Sequence, residues 1–241
     1  MSIEIAGQVA VVTGAGRGIG RETALLLAKH GVKIVAAARS VDELEETAAE
    51  VRALGSSCLV APTDVTDEAQ VERLFDQAEA KFGGIDIAIV NAGTGQFMSV
   101  AEMPTEVFDR TLNVNLRGAF FCCRAAAQRM IPRRSGSIVT VSSSSGKKPY
   151  PTQGAYCASK FGLVGLSKVL AMELRPFGIR VHTVCPGGVE TQLASEIHPN
   201  RDKTGWIQPQ DIAESILYLL TLPRNITADE IILRRFDADP M

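Results

Sequence analysis

Val9-Ala10-Val11-Val12-Thr13-Gly14-Ala15-Gly16-Arg17-Gly18-Ile19-Gly20 decides how the rest of the sequence is read. Its first half is a short apolar run with no polar face, which predicts a strand buried on both sides. Its second half sets four glycines in the seven positions 14–20, more than a tight turn needs. A helical pattern follows over 18–30, and Gly31 stands where a helix-terminating glycine belongs. A glycine turn between strand and helix lets backbone N–H groups and the helix N-terminus approach a pyrophosphate. An ordinary βα turn without a ligand would use the same residues.

Working outward, the pattern repeats. A strand is expected at 32–37, then a helix at 41–54 that carries Asp42, Glu43, Glu45 and Glu46 near its start, as the helix dipole favours. A strand at 58–61, a helix at 67–82 closed by Gly83-Gly84, and a strand at 85–90 come next. One long helical segment spans 105–129, followed by a strand at 137–141 and a helix at 154–175. A strand at 179–184, a helix at 209–220 and a strand at 230–233 complete the series. Several strands are apolar throughout, as expected when helices cover both faces of a parallel sheet. Strict β/α alternation without a Pro/Gly/Ser-rich linker predicts the α/β class. The expectation is a single Rossmann-type doubly wound parallel sheet of about seven strands, in one domain over 1–241.

Bulk properties narrow the functional classes. With 46% apolar and 22% charged residues, the 241-residue chain has an ordinary globular composition. A net charge of −2 gives no reason to expect nucleic acid or an anionic membrane as partner. Met1-Ser2-Ile3-Glu4-Ile5 lacks a basic segment followed by an apolar stretch, so no secretory signal is expected. No apolar run reaches the length of a membrane span. Cys58, Cys122, Cys123, Cys157 and Cys185 are odd in number and lack metal-ligand spacing. They predict reduced thiols and a cytoplasmic location. His30, His182 and His198 are scattered, and no metal is expected.

The chemistry centres on Ala155-Tyr156-Cys157-Ala158-Ser159-Lys160. On a helix, the four-residue spacing puts a phenol and an ammonium on one face. An ammonium beside a phenol favours the phenolate and lowers its pKa from about 10 towards neutrality. Such a tyrosine can exchange a proton at physiological pH, as carbonyl/alcohol interconversion requires. A core aromatic and a solvated lysine would be the plain use of the same two residues.

Further motifs occur in a fixed order: T-G-x-x-x-G-x-G at 13–20, Asn91-Ala92-Gly93, Asn115 within Asn113-Val114-Asn115-Leu116, Ser143 thirteen residues before Tyr156, and Pro186-Gly187-Gly188-Val189-Glu190-Thr191. Together they resemble the short-chain dehydrogenase/reductase family over nearly the whole chain. The resemblance implies that Tyr156 is the general acid/base, that Lys160 lowers its pKa and holds the nicotinamide ribose, that Ser143 hydrogen-bonds the substrate oxygen, and that Asn115 holds a water leading from Lys160 to solvent. It assigns Gly14, Arg17, Gly18, Ile19 and Gly20 to the cofactor phosphates. Asp64, Val65, Asn91, Ala92 and Gly93 fall on the adenine side, and Pro186, Gly187, Val189 and Thr191 beside the carboxamide. Asp64 could instead act as a helix cap, a role open also to Thr66 or Asp67.

Ala38 stands where NAD-binding relatives carry an acid for the ribose 2′-OH, and Arg39 follows it. With Arg17, this pattern implies NADP(H), since an arginine fork binds the 2′-phosphate that a carboxylate would repel. The expected function is an NADP(H)-dependent interconversion of a small-molecule carbonyl and alcohol, in a homodimer or homotetramer. The alternatives are a 3-oxoacyl-acyl-carrier-protein reductase and a catalytically silent NADP(H)-binding regulatory protein. Substrate choice would lie in 94–97, 145–153 and 191–206, with Leu193, Ile197 and Trp206 as apolar contacts. Lys147-Lys148 reads better as a solvated loop than as a reader of an anionic substrate. Many relatives carry a glycine-containing stretch such as V-D-G-G at the last strand, where this chain has Ala228-Asp229-Glu230-Ile231-Ile232-Leu233-Arg234-Arg235, which weakens the acyl-carrier reading.

Overall fold

β1 (Val9–Thr13) is buried along its whole length, and its side chains divide between two cores. Val9 and Val11 join one cluster while Ala10 and Val12 join the other, because successive strand residues point to opposite faces. Both faces are therefore covered, which accounts for the unbroken apolar run. The structure is a computed structural model and describes residues 4–197, 200 and 202–238.

The remaining strands are β2 (Lys33–Ala38), β3 (Cys58–Pro62), β4 (Ile87–Val90), β5 (Gly136–Val141), β6 (Ile179–Pro186) and β7 (Glu230–Leu233). They form one seven-stranded sheet in the order β3-β2-β1-β4-β5-β6-β7, with every pairing parallel. Helices α1 (Gly18–Lys29) and α2 (Val41–Ala53) pack on one face together with α8 (Pro209–Thr221). The other face carries α3 (Glu68–Phe82), α5 (Ala119–Arg133) and α6 (Gly154–Leu174). The helix signals act locally as expected. In α3, Val71, Leu74, Phe75 and Ala78 form the buried stripe, and Asp67 caps the N-terminus by accepting from Gln70 N at 3.2 Å. This is the Rossmann-type doubly wound sheet that the sequence predicts.

Strand order reverses between β1 and β4, so their C-terminal ends open the crevice where ligands bind in such sheets. The glycine turn follows β1, and Asn91-Ala92-Gly93 follows β4.

Two features differ from the sequence reading. The segment expected as one helix over 105–129 is α4 (Thr105–Leu112), a π-helical turn (Asn113–Gly118) and α5. The π turn stands where Gly118 runs against the loop after β3: a Cβ there would lie 2.9 Å from Val65. A short helix, α7 (Gln192–Ile197), forms in a stretch expected to be loop. Thr191 Oγ1 starts it by accepting from Ala194 N at 3.2 Å.

Candidate active site

The glycine turn is built by contact with β4 as much as by its own geometry. Asn91 Nδ2 donates to Thr13 O at 2.9 Å and Gly14 O at 3.3 Å, and Asn91 N donates to Thr13 Oγ1 at 3.0 Å. The turn is tight in itself and against Asn91: a Cβ on Gly20 would sit 2.2 Å from Gly14 O and 2.6 Å from Asn91 Nδ2. Part of the glycine requirement is thus internal packing. Arg17 provides no side-chain cap to α1, so the first amides of that helix face the cleft without a capping acceptor.

This cleft has a volume of about 470 Å³. Gly14, Arg17, Gly18 and Ile19 line it, as do Arg39, Asp64, Val65 and residues 91–93, with Tyr156, Lys160 and Thr191 at its inner end. The sequence-predicted cofactor residues therefore converge, apart from Pro186, Gly187 and Val189, which line an adjoining cavity, and Gly20, which is buried behind the turn. Asp64 lines the cleft but also holds a turn, with Oδ1 accepting from Thr66 N at 2.9 Å and Thr66 Oγ1 at 2.8 Å. Ser40, Glu43 and Arg110 line the cleft without having been singled out in the sequence. Glu43 lies against the glycine turn: a Cβ on Gly16 would be 2.8 Å from its Oε2. Only its position early in a helix beside the turn hinted at this.

The adjoining cavity, of about 360 Å³, shares Ile19, Ser142, Tyr156, Thr191 and Leu193 with the cleft. Tyr156 stands on this shared wall and hydrogen-bonds Ser143, which lines the smaller cavity. Ser143 is held in turn: its Oγ accepts from Ser145 N at 3.1 Å, and Ser145 Oγ donates to Gln153 Oε1 at 2.7 Å. Phe97 packs its ring on Tyr156 at 5.4 Å between centroids. Leu193, Ile197 and Trp206 line the cavity, as the sequence reading expects.

Burial acts on both groups of the pair. Loss of solvent pushes the Tyr156 phenol above its ordinary value, and the Ser143 hydrogen bond only partly offsets it. Lys160 Nζ donates to Val141 O at 3.0 Å and lies 5.7 Å from the centre of the Tyr156 ring. Burial pushes its ammonium down to about 8.

Asn115 is fully buried in the π turn. Its Nδ2 donates to Thr94 O at 2.8 Å and Ser159 Oγ at 3.1 Å, and its Oδ1 accepts from Thr94 N at 2.8 Å. It pins the helix to the loop after β4. Gly93 adjoins both Asn115 and Lys160: a Cβ there would lie 3.4 Å from Asn115 Oδ1 and 3.7 Å from Lys160 Nζ, in ordinary contact.

Other charged and thiol groups stand apart. Lys147 pairs with Glu230 at 2.9 Å. His182 is buried with Nδ1 on Ala228 O at 2.8 Å, and burial lowers its pKa. His198 lies outside the described residues. The five cysteines are free, and among the described residues no group of three His, Cys, Asp or Glu side chains is placed to hold a metal. No helix among them is long and apolar enough to cross a membrane.

Fold and site together define a nicotinamide-dinucleotide oxidoreductase built on a doubly wound sheet. Residues 8–202 match the short chain dehydrogenase family, and the chain belongs to that family. It is 35% identical over 227 residues to an uncharacterised oxidoreductase of Staphylococcus aureus (strain MRSA252), covering 94% of this chain and 96% of that protein. Among solved structures it is similar to a short-chain type dehydrogenase/reductase from Mycobacterium marinum, with 33% identity, a TM-score of 0.91 and coverage of 96% and 95% of the two chains. It is similar also to an alcohol dehydrogenase from the archaeon Thermococcus sibiricus in complex with 5-hydroxy-NADP, with 31% identity, a TM-score of 0.90 and coverage of 97% and 99%.

Proposed function

We propose that the protein is an NADP(H)-dependent enzyme interconverting a carbonyl and an alcohol, with Tyr156 as general acid/base. The observation that carries this reading is the position of Tyr156 on the wall common to the two cavities, with Ser143 beside it in the lining of the smaller one. A substrate in the smaller cavity and a nicotinamide at the inner end of the cleft would meet there. The residues fit the cofactor: the uncapped start of α1 suits a pyrophosphate, and Arg39, after a β2 that ends on Ala38 rather than on an acid, suits a 2′-phosphate, with Arg17, paired to Glu196 at 3.0 Å, lining the same cleft. The likeness to a structure holding an NADP derivative supports the same choice.

Gly14, Arg17, Gly18, Ile19 and Gly20 would hold the phosphates, and Arg39 the 2′-phosphate. Asp64, Val65 and residues 91–93 would flank the adenine side, while Pro186, Gly187, Val189 and Thr191 would hold the carboxamide. The bound nicotinamide supplies the hydride in reduction and takes it up in oxidation. Tyr156 Oη gives its proton to the substrate oxygen, and Ser143 Oγ orients that oxygen by a hydrogen bond. Lys160 keeps a positive charge near the phenol and ribose. Asn115, which adjoins Gly93 as Lys160 does, would hold a water from which the tyrosine proton is replenished. Pro186 and Leu233 are paired in the sheet, so the carboxamide loop is anchored at one end.

A panel of aldehydes, ketones and 3-oxoacyl thioesters assayed with NADPH tests the reading. Turnover of simple carbonyls is expected. Turnover confined to acyl-carrier thioesters would favour an acyl-carrier reductase, and tight NADPH binding without any turnover would leave a regulatory protein.

A further inference from the structure

We propose that the substrate carries a carboxylate, read by Arg234 and Arg235 in the segment that follows β7. This rests on the carbonyl/alcohol reading above and names its substrate class. Both arginines line the smaller cavity and neither lines the cofactor cleft. Among the described residues they are the only charged ones in that lining, which is cationic there. Their place is fixed by the sheet. Leu233 pairs with Pro186, Gly187 N donates to Leu233 O at 2.7 Å, and a Cβ on Gly187 would lie 3.5 Å from Arg234 Cα. The arginines thus follow directly from the backbone that flanks the carboxamide loop.

Their hydrogen-bonding capacity is only partly spent. Arg234 Nη1 donates to the carbonyls of Arg235 and Ala238, which holds the guanidinium in place. No carboxylate pairs with Arg234 among the described residues. Arg235, half-buried, meets the exposed Asp237 through Nε at 3.3 Å, and among the described residues no acceptor takes its Nη groups. A planar fork held this way matches a carboxylate in two parallel bonds. Phe97, Leu193, Ile197 and Trp206 give the rest of the cavity an apolar surface. The matching substrate is an oxo acid, or the hydroxy acid in reverse, with an apolar body between carbonyl and carboxylate.

The test compares acids with their neutral esters: levulinate against methyl levulinate, and 3-benzoylpropionate against methyl 3-benzoylpropionate. The wild type should prefer the acid in kcat/KM. The acid-to-ester ratio should fall about 10- to 100-fold in Arg234→Met/Arg235→Met, mainly through KM for the acid. Thermal melting and NADPH binding check that the variant folds, and Arg234→Gln and Arg235→Gln singly replace it if it does not. Ester turnover with no acid preference, or a ratio unchanged by the variants, overturns the inference while the carbonyl reading stands. If no carbonyl is turned over, that reading fails, and the anion site is decided by binding alone. Trp206 is the sole tryptophan and lines the cavity, so its emission reports ligands directly. A saturable change with levulinate that is lost in the variants supports the site; no saturable change overturns it.

Discussion

At Lys160 the balance between stability and function can be put in numbers. The unfolded chain holds this proton up to a pKa of 10.5, whereas burial brings it to about 8 in the folded protein. Below about pH 8 the folded state therefore carries a buried charge that costs about 3 kcal/mol. Between pH 8 and 10.5 the unfolded chain binds more protons, so this penalty fades as pH rises. Replacing Lys160 by Met removes the charge but also the bond to Val141 O, which offsets about 1–2 kcal/mol. Denaturant unfolding at neutral pH should show Lys160→Met more stable than wild type by about 1–2 kcal/mol, with turnover lost. Wild-type NADPH affinity should weaken as pH rises through about 8, and that fall should be absent from the variant. A destabilised variant would mean that the Val141 bond outweighs the buried charge. Arg39 allows a second residue-level test by fluorescence titration of both cofactors. Arg39→Asp should weaken NADPH about 100-fold and NADH far less. Equal losses would remove Arg39 as the phosphate reader.

Among the elements, the π turn is the one that periodicity concealed. Apolar spacing through 105–129 fits a continuous helix, and nothing local in Asn113-Val114-Asn115-Leu116 announces the extra residue in the turn. What holds it is tertiary: Asn115 clamps the main chain of Thr94, and Gly118 abuts Val65. Asn115→Leu would leave the Thr94 N–H and C=O without these partners inside the protein. Chemical denaturation should show a loss of about 2–4 kcal/mol, with turnover falling more than NADPH affinity. An unchanged midpoint would deny the clamp its structural weight. The ion pair of Arg17 with Glu196, 3.0 Å between the glycine turn and α7, is exposed on both sides and should behave differently. Glu196→Gln should shift stability by less than about 1 kcal/mol.

At the scale of the whole molecule, the sheet was readable because alternation, apolar strands and glycine stops agreed with one another. The site was readable where motif residues lie at strand ends, since the β1/β4 crevice gathers those positions whatever the intervening sequence. Cavity-lining cations were not. Lys147-Lys148 is the basic pair just past Ser143, and Lys147 is held by Glu230, while Arg234 and Arg235 close a run, 228–235, that reads only as a departure from the relatives' glycine-containing end. Their position at the cavity depends on which strand β7 pairs with, and that is a long-range fact. Large apolar side chains remain exposed on α4–α6, including Phe108, Phe120, Phe161 and Met172, and others, such as Ile232, at the edge strand β7. We expect light scattering to give a mass two or four times that of one chain, as a homodimer or homotetramer that covers them would have. A monomer at micromolar concentration would count against that.

The central claim is that one phenol moves the proton. The most direct measurement follows loss of reduced-nicotinamide absorbance with the best carbonyl substrate, comparing wild type with Tyr156→Phe and titrating NADPH into both. The account predicts a fall in turnover of about three orders of magnitude or more, with NADPH affinity within a few-fold of wild type. Near-normal turnover by Tyr156→Phe would contradict it.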